Sequence, residues 1–337
     1  MTATYSETLT TFVSSTLDDH ASKIENQVFK STDMMKYISA HRKKQVGGKN
    51  VFVNLEFGEN SSIQRAMGRG GKITLSQDEI ITQAHYAWTS YAGGIIRYRD
   101  DELENTGKYA VFNMMQAYIK NLEKSFAKTL EEDLFSTEAV GVDKFCGLRG
   151  LVEDIDISWD DTDEPGTDAT TPSTKTVGNL SRGTYGWWCN YGYDMTDLDP
   201  AQWLTIFMRD AVDGVETWAS GCEAIICHRT VKNFYEDEVG ETLRTVTVKL
   251  GDVRIRSVEY GGIPFITSPY SPKNRMWFIG KDTLSMVYEP RMWFRNTDWK
   301  EPTQQPFDKA RQMVVKGQVV NNNPKGTAVV FGINLTS

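Results

Sequence analysis

The sequence predicts an α+β chain whose N-terminal part cannot bury itself alone. Three observations carry this. Residues 1–46 form a mostly polar arm, residues 49–75 read as a long two-stranded ribbon with a glycine-rich basic tip, and one amphipathic helical pattern then runs from about Gly107 to Leu134. A lone two-stranded ribbon is marginally stable in water, and its open edges invite pairing with another chain. Arm and ribbon are therefore expected to be ordered by something outside the core, most simply a second copy of the same chain.

The totals agree with a large β-rich protein. A length of 337 residues allows one large or two modest domains. Hydrophobic residues at 39% and aromatics at 11% suffice for a sizeable core, and 27 Gly suit many turns. The net charge of −8 argues against a generic nucleic-acid binder, which carries a basic excess. It leaves room for a wall that encloses nucleic acid without holding it. The start, MTATYSETLTTF, lacks the basic-then-apolar order of a signal peptide. No run approaches the length of a membrane span. Cys146, Cys189, Cys222 and Cys227 are sparse, which favours free thiols in a reducing compartment.

Taken in order, the arm holds two helical patterns. One spans Leu17 to Phe29, with Ile24 and Val28 four apart. The other starts at Asp33 as N-cap, continues through Met34, Met35, Tyr37 and Ile38, and stops at the basic run His41–Lys44. Gly47-Gly48 breaks the chain. In the ribbon, Val51, Val53, Leu55 and Phe57 alternate with Asn54 and Glu56, a period of two. The tip, Gly58 to Gly71, carries Arg65 and Arg69, and the return strand is expected from Lys72 to Leu75. Residues 79–99 read as one or two strands kinked at Gly93-Gly94.

Asp100, Asp101, Glu102 and Glu104 make an acidic approach to the long helix, with Asn105 or Thr106 as cap. Met115, Ile119, Leu122, Phe126, Leu130 and Leu134 line one face, and Lys124, Lys128, Glu131 and Glu132 the partly solvated one. At 1.5 Å per residue the helix spans roughly 40 Å. Residues 153–176 read as an acidic surface loop. Asp199 then caps a helix with Pro200 at its first position and Trp203, Ile206, Phe207, Ala211, Val215 and Trp218 in helical period. Strands are expected at 224–227, on both sides of Gly251-Asp252, and at IPFIT, MWFIG, LSMVYEP, MWFRN, Gln312–Val320 and Thr327–Ile333.

No constellation in the sequence supports catalysis, a cofactor or a metal. Cys222, Cys227 and His228 lack the paired spacing of a zinc site and read better as small buried hydrophobes. Asp156, Asp160, Asp161, Asp163 and Glu164 lack the alternation of a calcium loop. His20, His41, His85 and His228 belong to no recognisable motif. Gly68 to Lys72 matches a phosphate-binding loop in composition only. Tyr185, Trp187, Trp188, Tyr191 and Tyr193 fit a sugar-stacking platform or core and interface aromatics, and the second reading is preferred.

The order of arm, ribbon, long helix and two β-rich parts resembles the major capsid proteins of tailed bacteriophages, of the Hong Kong 97-type fold. The local stretches that carry the resemblance are Phe29–Gly48, Thr82–Gly94, Asn105–Phe135, Gly147–Val152, Gly262–Ser271, Phe294–Gln305 and Gly317–Ile333. The resemblance implies residues 1–46 as N-terminal arm lying on neighbours, 47–99 as extended loop, and 100–150 as spine helix with the first part of a peripheral domain. It implies 151–271 as axial domain and 272–337 as the second part of the peripheral domain. It further implies a non-enzymatic subunit that forms hexamers and pentamers and closes an icosahedral shell around double-stranded DNA. Assembly would take place in the host bacterial cytoplasm, with a portal and a separate scaffolding or decoration protein as partners, and no membrane. On this reading the basic tip, Arg65, Arg69 and Lys72, is expected to meet the acidic approach, Asp100, Asp101 and Glu102, of a neighbouring copy. An isopeptide cross-link known in some relatives would use Lys72 and one of Asn321 to Asn323, although a ribbon-tip lysine and a turn-rich asparagine run have simpler explanations. The rival readings are an encapsulin-like nanocompartment shell and, from another class, a β-rich carbohydrate-binding protein.

Overall fold

The computed structural model describes residues 27–29, 32–56, 81–98, 108–155, 175–239, 245–250, 253–301 and 308–335. The elements in chain order are α1 (Asp33–Ala40), β1 (Arg42–Lys44), β2 (Asn50–Glu56), β3 (Ile81–Ala87), β4 (Thr89–Arg97), α2 (Lys108–Asp133) and α3 (Leu148–Leu151). Next come β5 (Thr176–Val177), β6 (Leu180–Ser181), β7 (Tyr191–Asp194), α4 (Pro200–Trp218), β8 (Cys222–Cys227), α5 (Arg229–Val239), β9 (Thr245–Leu250) and β10 (Val253–Tyr260). The chain finishes with β11 (Ile263–Thr267), β12 (Arg275–Gly280), β13 (Leu284–Tyr288), β14 (Arg295–Asn296), β15 (Lys309–Asn321) and β16 (Thr327–Phe331).

Two main sheets organise these elements. In the seven-stranded sheet the order is β7-β16-β12-β8-β11-β10-β9. Its central strands are buried on both faces, which is why they read in the sequence as continuous apolar runs. Ile225, Cys227, Phe265, Met276, Phe278, Ala328 and Val330 share a core with Leu204, Met208, Ala211 and Val215 of α4. The alternate residues Ala224, Ile226, Ile266, Trp277, Ile279 and Val329 join a second, larger core. That core is shared with α1, the ribbon base, α2 and the other sheet, in which β15 pairs with β13, β14 and β4, and β1 runs parallel to β13.

The last part of the chain divides between the sheets. β12 and β16 lie inside the seven-stranded sheet, whereas β13 and β15 lie in the five-stranded one. The expected division at 271/272 therefore separates β11 from β12, although both flank β8 in one sheet.

Other expectations are corrected locally. Thr32, not Asp33, caps α1: its backbone is extended, and its side chain accepts from the Met35 amide at 3.4 Å. Arg42–Lys44 is no mere helix stop but strand β1. Val28, Phe29, Met34, Met35, Tyr37 and Ile38 are buried in this chain's own core, so the described part of the arm is integral to the subunit body. The strand that pairs with β2 is Ile81–Ala87, with Val51 opposite Tyr86, while Lys72–Leu75 lies outside the described residues. The break between β3 and β4 falls at Trp88, not at Gly93-Gly94. MWFRN becomes a 3-10 turn, Pro290–Met292, followed by the two-residue β14. Glu131 is buried rather than partly solvated. In α4, Trp203, Ile206 and Trp218 are exposed, and Leu204, Met208 and Val212 take the buried face with Ala211 and Val215.

Candidate assembly surfaces

The ribbon base is clamped to the subunit that bears it. Val51, Leu55, Ala84 and Tyr86 are buried. The Tyr86 hydroxyl donates to the Asn321 carbonyl at 3.3 Å, the His85 amide to the Gly178 carbonyl at 2.8 Å, and the Ala87 amide to the Val140 carbonyl at 3.0 Å. Gln318, fully buried on β15, completes the clamp. Its Nε2 donates to the Ala87 carbonyl at 2.7 Å, and its Oε1 accepts from the Cys146 amide at 2.8 Å. The opposite face of the ribbon presents Phe52 and Ile81, 46% and 61% exposed, with the Phe52 ring edge-on to His85.

Two further apolar surfaces face outward. Ile96, Tyr98 and Tyr118 line a groove of about 330 Å³ between β4 and α2. On α4, Trp203 and Ile206 are exposed one turn apart, and Phe207 packs beside Trp203 and stacks on Tyr193. Exposed apolar groups that cluster, rather than scatter singly, mark interaction surfaces.

Beside these lies a basic row. Lys120, Lys124 and Lys128 recur every four residues along the exposed side of α2, while Glu123 and Glu131 of the same helix are buried. Burial raises the pKa of both carboxyls. Glu131 also accepts from the Ser268 hydroxyl at 2.6 Å, so one carboxyl joins α2 to the end of β11.

The expected tip contact, Arg65, Arg69 and Lys72 with Asp100, Asp101 and Glu102, lies outside the described residues, as do the acids of the 156–164 loop. The asparagines weighed for a cross-link have local roles. Asn321 is buried, Asn322 Nδ2 donates to the Asp282 carbonyl, and Asn323 Nδ2 donates to the Trp218 carbonyl. Trp188, Tyr191 and Tyr193 are core aromatics, with the Trp188 indole donating to the Val177 carbonyl at 3.0 Å. Burial pushes the thiols of Cys222 and Cys227 up to about 12. Among the described residues no cluster of three His, Cys, Asp or Glu side chains could hold a metal, and no helix is long and apolar enough to cross a membrane.

Sequence reasoning missed Arg182. Its guanidinium is fully buried, donating to Glu153 Oε2 at 3.0 Å, Asn190 Oδ1 at 3.0 Å and the Leu151 carbonyl at 2.7 Å. A lone arginine in a turn-rich stretch carries no periodic signal that could have exposed this role.

No known protein family and no curated protein matches the sequence. Solved structures do match by shape. The capsid of cyanophage A-1(L) superposes with a TM-score of 0.57 at 14% identity, covering 90% of this chain and 93% of that one. The capsid of a native GTA particle gives 0.57 at 9% identity, covering 90% and 91%. The SrpI encapsulin of Synechococcus elongatus PCC 7942 gives 0.54 at 9% identity, covering 88% and 86%. The chain thus carries the mixed helix-and-strand fold of capsid shell proteins. The resemblance to phage capsid proteins is borne out at the level of the fold.

Proposed function

We propose that the chain is the major capsid subunit of a tailed bacteriophage, assembling as hexamers and pentamers into an icosahedral shell around double-stranded DNA. The observation that carries this reading is the two-way, near-complete coverage by phage and GTA capsid structures. The ribbon adds support, because its base is fixed in the subunit while its outer face keeps Phe52 and Ile81 in solvent. In this reading the seven-stranded sheet with α4 and α5 forms the axial domain, and the five-stranded sheet with α2 as spine forms the peripheral domain. β12 and β16, within 272–337, then belong to the axial side. Residues 1–46 act as the N-terminal arm, anchored through α1, and 47–99 as the extended loop. Its tip, Arg65, Arg69 and Lys72, contacts Asp100, Asp101 and Glu102 of a neighbour. The protein is a structural component of the virion, assembled in the bacterial cytoplasm with a portal and a separate scaffolding or decoration protein.

The encapsulin likeness at a similar TM-score supports a second reading, a nanocompartment shell. Negative-stain electron microscopy of the chain expressed alone tests both. Closed particles, capsomers, tubes or curved sheets support a shell protein, and nucleic acid or protein inside purified particles separates phage from nanocompartment. A monomer that stays monomeric with scaffold present overturns both.

A further inference from the structure

His41 stands where three parts of the subunit meet. It is the C-cap of α1, and its own amide donates to the Ile38 carbonyl at 3.2 Å. Its carbonyl accepts from the Met286 amide of β13 at 3.0 Å, which fixes the residue to the five-stranded sheet. Its ring is turned toward the other sheet. Nε2 lies 3.2 Å from Oε1 of Glu223 on β8, while Oε2, at 3.0 Å, makes the ion pair without hydrogen-bond geometry. Nδ1 lies 3.0 Å from the carbonyl oxygen of Tyr37.

Both ring nitrogens therefore face acceptors. A neutral imidazole carries one proton and can donate to only one of them, leaving a lone pair against the other oxygen. The imidazolium donates to both. We infer that His41 is a proton-operated staple between the two sheets, closed when its ring carries both protons and opened on one side when it carries one.

The surroundings agree. Burial alone would lower the pKa of His41, but its hydrogen bonds to the Glu223 carboxylate and the Tyr37 carbonyl and the charges of Glu223 and Asp282 together raise it. The other titratable groups of this corner are Cys222, beside Glu223 on β8, and the buried Tyr37 hydroxyl, which burial and Glu223 hold protonated. Neither changes charge near neutrality. With the folded pKa raised, the staple stabilises fully below the ordinary histidine value of about 6.5 and is lost as pH rises through the elevated value. The contact is internal to one subunit, so the inference holds whether or not the chain builds a shell.

The test uses the full-length protein as purified. Deuterium exchange at the histidine C2 position, read by mass spectrometry, reports the midpoint of His41, and amide exchange reports the protection of Asp33–Ala40. Expected are a His41 midpoint above about 6.5 and a several-fold loss of α1 protection as pH passes through it, after correction for intrinsic exchange. His41→Gln should abolish that step, and Glu223→Gln should move the His41 midpoint down. A midpoint at or below the ordinary value, or the same protection step in His41→Gln, overturns the staple. If His41→Gln does not fold, Glu223→Gln decides, because an unmoved midpoint overturns it equally.

Discussion

Gly93 of β4 and Phe126 of α2 approach so closely that no side chain fits between them. A Cβ at position 93 would lie 2.7 Å from Phe126 Cε2 and 2.6 Å from Leu122 Cδ1. Phe126 is buried and held against Phe294, so it has little room to give. Gly93→Ala is expected to cost about 1–3 kcal/mol by overpacking. At Gly94 the nearest heavy atom would be 3.8 Å away, so Gly94→Ala should be neutral or stabilising by up to about 1 kcal/mol. Chemical denaturation of the two variants should give opposite signs.

Arg182 supplies a second test. Truncation to Ala leaves Glu153 and Asn190 without their buried donor, and a loss of about 3–5 kcal/mol is expected. Arg182→Lys should fail to rescue, because an ammonium cannot span Glu153, Asn190 and the Leu151 carbonyl as the guanidinium fork does. The double variant Arg182→Met with Glu153→Gln should recover part of the loss. Equal stability of Arg182→Ala and the unaltered protein in urea would remove this network from the account.

Glu131 predicts a pH dependence of opposite sense to an ordinary surface carboxylate. Burial raises its pKa, so the folded chain holds the proton longer than the unfolded one. Stability contributed at this site therefore falls as pH rises from about 4.5 through the elevated value. Glu131→Gln keeps an acceptor for the Ser268 hydroxyl and removes the titration. Its Tm relative to the unaltered protein should climb with pH across that window, and a parallel pair of Tm curves would refute the assignment.

Trp203 and Ile206 separate folding from assembly. Both are exposed on α4, so Trp203→Asp and Ile206→Asp should change stability by less than about 1 kcal/mol. If this face meets a neighbour, the same variants should stay as soluble monomers or small oligomers on size exclusion under conditions where the unaltered chain forms particles. Particle formation undiminished in both would exclude the α4 face from the contacts.

The native thiols give a simpler check. Cys146, Cys189 and Cys227 are buried and burial raises the pKa of each, so a maleimide at neutral pH should label the native protein slowly at all three and quickly only after denaturation.

Much of this architecture was legible in local pattern. Asp199-Pro200 announced α4, Gly251-Asp252 marked the β9–β10 hairpin, and Val51–Val53–Leu55 marked one face of the ribbon. Pairing over long distances was not. Nothing in MWFIG or LSMVYEP tells that the first joins β8 and β16 while the second joins β1 and β15, because both are short apolar runs of equal strand propensity. The amphipathic period of α4 was correct while the exposed edge of its stripe was misplaced, since Trp and Ile score as buried wherever they fall. Of the candidate surfaces, the charged tip and the acidic stretch proposed to meet it lie outside the described residues. The joints at Arg182, Glu131 and His41 depend on partners 29, 137 and 182 positions away, a separation that no local motif encodes.

The placement of β15 and β16 has a consequence for synthesis. β15 sits between β13 and β4, and β16 between β7 and β12, so each sheet waits for a strand from residues 309–331. Until β15 and β16 have been made, neither sheet can close, because each lacks the strand that bridges its two halves. Both sheets are thereby completed late and almost together, and a chain cut before residue 309 would leave the inner edges of β13, β4, β12 and β7 unpaired at once.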